Sequence, residues 1–82
     1  MSKTLPKWFE GHLYPKGDVV TNPFSGEVYE LDNVELSMYD FIMGAQFVLE
    51  RRGYDEDIIK SLHKGLDWFR KHNSKAYMVL LD

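Results

Sequence analysis

Histidines and acids are the residues of this chain whose types could bind a metal ion or support catalysis. His63 and Asp67 stand four residues apart, so on a helix they lie on one face and can pair. A metal site needs three or four ligands, whereas His12 and His72 stand far from this pair in the sequence and no cysteine is present. We therefore predict an exposed His–Asp pair, no metal ion and no cofactor.

Asp40 is the one acid that stands within an otherwise apolar run. Burial there would raise its pKa and suit it to general acid catalysis. The alternative, which we favour, places Asp40 on a narrow polar stripe with Ser37 and Gly44. Isolated glycines form no phosphate-binding loop, and no nucleophile motif is present. The sequence therefore predicts a protein that is not an enzyme.

A basic patch is predicted in the last third of the chain. Residues 1–59 carry 5 basic and 11 acidic side chains, whereas residues 60–82 carry 5 basic and 2 acidic ones. Trp68 lies near two of these lysines, where a nucleic-acid base could stack. The helix that carries the patch opens with three acids, residues 55–57, which repel phosphate. Nucleic acid is thus the less favoured partner, on a patch of Lys60, Lys64, Arg70, Lys71 and Lys75.

The elements that position these residues fit one small domain, residues 1–82. Apolar residues make up 44% of the chain and 12 of its residues are aromatic, which is too hydrophobic for a disordered tail. Residues 1–11 are predicted to be an irregular arm, whose Trp8 and Phe9 pin it to a core or to a partner. Residues 12–31 are predicted to form an antiparallel hairpin of two or three short strands around the turn at 22–26.

Residues 34–52 have the spacing of an amphipathic helix with two apolar stripes. The second stripe consists of Leu36, Met43 and Phe47. We expect the hairpin to cover one stripe and the next helix, residues 55–72, to cover much of the other. Gly44 lies within the first helix, where glycine is unfavourable, and the close approach of another helix would explain why a glycine stands there. Residues 74–81 fit a short helix or a strand, and we favour the helix because Met and Leu are strong helix formers. The fold class is therefore α+β.

Residues 22–31 and 35–44 form a distinctive run, and residues 65–71 and 76–82 add two further patches. Through these segments the whole chain resembles small uncharacterised proteins of marine tailed phages, of the cyanobacterial myophage type. That family transfers no activity and no functional residues. The resemblance implies a phage accessory protein that acts in the host cytoplasm.

Protein binding is the function that we expect from these observations. A helix with two apolar stripes needs two covers, and a small chain has few elements to supply them. If Leu36, Met43 and Phe47 remain uncovered, they mark a contact with another protein or with a second copy of the chain. Trp8 and Phe9 are further candidates for this interface. No run of apolar residues is long enough to predict a membrane span.

Overall fold

The computed structural model describes residues 4–9 and 11–81. Residues 1–3 and 10 of the predicted arm, and Asp82, lie outside the described residues. Two strands, β1 (Asp18–Thr21) and β2 (Val28–Leu31), precede three helices, α1 (Asn33–Arg52), α2 (Glu56–His72) and α3 (Ser74–Leu80). This arrangement confirms the predicted α+β class, and the C-terminal segment is the helix that we favoured.

The hairpin pairs β1 and β2 antiparallel, from Asp18 opposite Leu31 to Thr21 opposite Val28. Its turn is organised by Asn22, whose Oδ1 accepts hydrogen bonds from the backbone N–H groups of Phe24 and Ser25 at 2.8 and 3.3 Å. Gly26 adopts a positive φ of 79°, which a side chain would disfavour. The Asn22 amide also donates to the Val79 carbonyl at 2.9 Å, which fastens the turn to α3.

The segment around Tyr14 was the candidate for a third strand, and no third strand forms within the described residues. Instead, the Tyr14 N–H donates to the Ser37 hydroxyl at 2.9 Å, and the Asn33 amide donates to the Tyr14 carbonyl at 3.3 Å. These bonds lay the segment along the start of α1, because side chains of α1 satisfy the backbone groups that a strand partner would have paired.

Polar side chains cap the start of each of the three helices. Asp32 precedes α1 and forms a capping box with Glu35, in which each side chain bonds the other residue's backbone N–H at 2.8 and 3.0 Å. Asp55 caps α2 through the N–H groups of Asp57 and Ile58. Asn73 caps α3 through the Ala76 N–H at 3.1 Å.

The core lies where β2 and all three helices meet. Leu31 is the hairpin's deepest residue, and β2 contacts α3 as well as α1, which goes beyond the expected hairpin–α1 packing. Trp68, which lies off the predicted apolar stripe of α2, is covered within this core and stacks on His72 at 4.3 Å. The buried apolar residues are Leu31, Met38, Ile42, Trp68, Phe69, Ala76 and Leu80.

The helix crossing corrects the interpretation of Gly44. An added Cβ at Gly44 would meet no described atom within 4 Å, so no described element approaches it closely. The close approach is at Gly65 of α2, where an added Cβ would lie 3.0 Å from Ile42 Cγ1 and 3.4 Å from Met38 Sδ. Gly65 therefore lets α1 and α2 pack tightly, whereas Gly44 faces outward.

Candidate functional site

An apolar hollow on the described surface lies between α1 and the start of α2. It is open to solvent and has a volume of about 450 Å³. We call it the α1 groove, and define it by Asp40, Phe41, Gly44, Ala45, Val48, Asp57, Ile58 and Ser61.

Local structure fixes the walls of the α1 groove. Phe41 packs against the N-terminal arm, since the rings of Trp8 and Phe9 lie 5.9 and 5.4 Å from its ring. Asp57 is held at the first turn of α2 by its backbone bond to the Asp55 cap. Gly44 adds no side chain to the floor, so the groove stays open along that part of α1.

A second apolar hollow continues the surface toward the end of α1. It is lined by Phe47, Val48, Arg51 and Arg52, so Val48 belongs to both hollows. The guanidinium carbon of Arg51 lies 5.4 Å from the centre of the Phe47 ring, a cation–π contact. Along α1 the combined surface therefore runs from Asp40 through apolar residues to Arg51 and Arg52.

The predicted interface stripe divides between core and surface. Leu36 packs against the core and Met43 is half-buried. Phe47 is 58% exposed, which is high for a side chain of its size. Trp8 and Phe9 are half-buried against the chain's own core through Phe41, so the arm is pinned internally. Of these five residues, Phe47 has the largest uncovered side chain.

The predicted basic patch is spread over exposed positions of α2 and α3, and two of its five cations have partners. Lys64 Nζ lies 5.8 Å from the centre of the Trp8 ring, and Arg70 donates to Asp67 at 2.9 Å. The structure also corrects two expectations about neighbouring residues. Trp68 is 9% exposed and covered by His72, so it offers no stacking face. Asp67, which we expected to pair with His63, accepts a hydrogen bond from Arg70, one turn further along α2. The patch comprises Lys60, Lys64, Arg70, Lys71 and Lys75.

Asp40 is exposed, as we favoured, and so is Gly44, whereas Ser37 of the predicted polar stripe is 1% exposed. Tyr14 interacts with Asp40. Burial of the phenol, followed by the charge of Asp40 and a hydrogen bond to it, raises the pKa of Tyr14. The protonated phenol of Tyr14 is a hydrogen-bond donor beside Asp40, which lines the α1 groove. Among the described residues, no three His, Asp or Glu side chains lie together as metal ligands would.

Glu35 is a buried acid that sequence reasoning did not single out. It is 4% exposed, and its second carboxylate oxygen accepts a hydrogen bond from the Asn73 amide at 2.8 Å. The signal was present in the spacing of Asp32 and Glu35, which is that of a capping box. The carboxylate joins the start of α1 to the α2–α3 turn, so its role is to hold the helices together.

Comparisons with protein families, with curated proteins and with solved structures gave no match for this chain. Within the described residues, no helix combines the length and the apolar character that crossing a membrane requires. The geometry of the surface is therefore what supports a functional proposal.

Proposed function

We propose that this chain is a non-enzymatic protein that acts by binding another protein chain on the α1 groove and the adjoining Phe47 surface. The single observation that carries the proposal is the exposure of Phe47, 58%, directly beside an apolar hollow of about 450 Å³. Large apolar side chains that border an open apolar hollow are typical of contact surfaces on small domains.

The described residues of the arm leave this surface uncovered although they pack nearby. Trp8 and Phe9 lie against Phe41 and stabilise one wall of the groove without filling it. A preformed apolar hollow loses little conformational freedom on binding, because its walls are already fixed. The arm therefore supports docking of another chain by making the wall rigid.

The phage context is part of the same proposal. The resemblance of residues 22–31, 35–44, 65–71 and 76–82 to small phage proteins supports an accessory factor that works in the cytoplasm of an infected host. Short phage proteins of this kind act by contacting larger machinery. A compact domain with an apolar contact surface suits that role.

The experiment is affinity capture from host lysate that also contains the untagged chain, so that a host protein and a second copy of the chain can both be captured. The baits are the tagged chain, its Phe47→Glu variant and a matched Phe24→Glu control. Phe24 is 98% exposed at the hairpin turn, away from the groove, so both variants place a charge at an exposed phenylalanine and both should fold. We expect the wild type and Phe24→Glu to capture the same protein and Phe47→Glu to lose it. Circular dichroism confirms that each variant is folded.

Two results would contradict the proposal. Equal capture by the wild type and Phe47→Glu would show that the groove is not the contact surface. Loss of the captured protein after nuclease treatment would transfer the function to nucleic-acid binding through the patch at Lys60, Lys64 and Lys71, which would then be tested by changing these lysines together to Gln.

A further inference from the structure

One exposed face of α1 carries four residues with the spacing of a coiled-coil seam. Asp40, Gly44, Phe47 and Arg51 follow one another at intervals of four, three and four residues. On a helical wheel they fall within about 60° of one another. All four are exposed. We call this face the α1 seam.

The order of side chains along the α1 seam is complementary to itself when it is reversed. Read from Asp40 to Arg51 the seam runs acid, no side chain, large aromatic, base. In a second copy that lies antiparallel, the reversed order puts Phe47 opposite Gly44 and Arg51 opposite Asp40. Both pairings occur twice if a two-fold axis runs beside α1 at the midpoint between residues 45 and 46. Such repetition is what an isologous contact requires.

The shapes of the two central residues fit this pairing. An added Cβ at Gly44 would meet no described atom within 4 Å, so the helix surface there is a depression beside the α1 groove. Phe47 projects from the same face and is 58% exposed. In the antiparallel arrangement each Phe47 ring fills the depression at Gly44 of the other copy, in the manner of a knob in a hole.

The charges at the two ends of the seam fit it as well. Arg51 lies against its own Phe47 ring, which places the guanidinium at the rim of the apolar contact. Asp40 is exposed, so its carboxylate is accessible from solvent at the other end of the seam. Arginine pairs well with a carboxylate at such a rim, because its planar group offers several N–H donors.

We propose that the occupant of the α1 seam is a second copy of this chain, docked antiparallel so that Phe47 packs on Gly44 and Arg51 pairs with Asp40 across a two-fold axis. This inference rests on the proposed function, and it names the partner. An unrelated protein would need no self-complementary order on this face, whereas a homodimer does.

Charge reversal tests the register, with sedimentation equilibrium as the measurement. Asp40→Arg and Arg51→Asp each turn two attractive contacts of the homodimer into two repulsive ones. We expect each variant alone to dimerise at least about tenfold more weakly than the wild type. Mixed together, the two variants should form a heterodimer, because the seam of one chain then carries a base at both ends and the seam of the other carries an acid at both ends.

The control applies the same charge changes away from the seam, as Glu30→Arg mixed with Lys71→Asp, both at exposed positions. These variants should dimerise like the wild type, alone or mixed. Phe47→Glu provides a second test that is independent of the ion pairs, and it should yield a folded monomer.

Three outcomes overturn the inference. The first is a wild type that stays monomeric up to its solubility limit. The second is a wild-type dimer that neither charge reversal weakens, and the third is a Phe47→Glu chain that remains fully dimeric. A monomeric wild type whose capture of a different protein depends on Phe47 would reject the second copy as the occupant while leaving the proposed function in place.

Discussion

Two mid-helix glycines should respond in opposite directions to the same substitution. Gly44→Ala adds a methyl group where no described atom lies within 4 Å, whereas Gly65→Ala adds one 3.0 Å from Ile42 Cγ1, 3.4 Å from Met38 Sδ and 3.5 Å from Phe41 Cδ2. Both changes gain the same helix propensity. The difference between the two variants therefore isolates the cost of crowding at the α1–α2 crossing.

The magnitudes follow from these surroundings. Replacing Gly by Ala within a helix contributes about 1 kcal/mol, so Gly44→Ala should raise the free energy of unfolding by about that amount. At Gly65 the same gain is opposed by overpacking, which costs about 1–3 kcal/mol in a filled core. Ile42 and Met38 are fully buried and have little room to shift. We expect Gly65→Ala to lower the stability by about 1 kcal/mol.

Urea unfolding followed by circular dichroism measures both variants, at a protein concentration low enough that self-association does not contribute. A difference of about 2 kcal/mol between them corresponds to a separation of roughly 8–16 °C in melting temperature for a domain of this size. Gly65→Leu, with a larger side chain, should destabilise further. The reasoning is refuted if Gly65→Ala is as stable as Gly44→Ala.

Three further predictions concern the packing of α3, the α2–α3 turn and a tyrosine. Leu80→Ala should lower the free energy of unfolding by about 2–5 kcal/mol, because Leu80 is only 6% exposed. Met78→Ala, at a position 67% exposed, should change it by no more than about 0.5 kcal/mol, and denaturant midpoints measure both variants. Asn73→Ala removes both the α3 cap and a donor to Glu35, and should cost about 2–3 kcal/mol in the same assay. Burial raises the pKa of Tyr39 above 10.0. The stability contributed by the buried, protonated phenol is therefore intact below pH 10 and is lost as the pH rises through the folded-state pKa. Tyr39→Phe should therefore lose less stability than the wild type as the pH rises above 10. Melting temperatures that fall equally in both proteins above pH 10 would contradict this.

Local signals in the sequence were sufficient to predict most elements of the fold. Asp32, a residue type that caps helices, precedes α1, and Gly53, with a positive φ of 85°, follows its end. The turn at 22–26 indicated the hairpin. These features could be predicted because each depends on residues only a few positions apart, whose backbone bonds are made locally.

The choice of which apolar residues remain exposed could not be predicted from the sequence. Leu36, Met43 and Phe47 form one stripe by spacing, yet Leu36 packs on the core while Phe47 is exposed. Trp68 lies off the apolar stripe of its helix by spacing, yet it belongs to the core. Helical periodicity gives the direction of a side chain, but the elements that cover it come from distant parts of the chain.

The sequence by itself determined the class of fold, the approximate ends of the helices and the presence of a second apolar stripe on the first helix. Only the tertiary structure decided that Gly65, and not Gly44, lies at the helix crossing, and that the arm packs on Phe41. The physical reason is that capping and periodicity act within one element, whereas burial depends on which elements meet. The open depression at Gly44 beside Phe47, on which the candidate site rests, exists because no other part of the described chain reaches it.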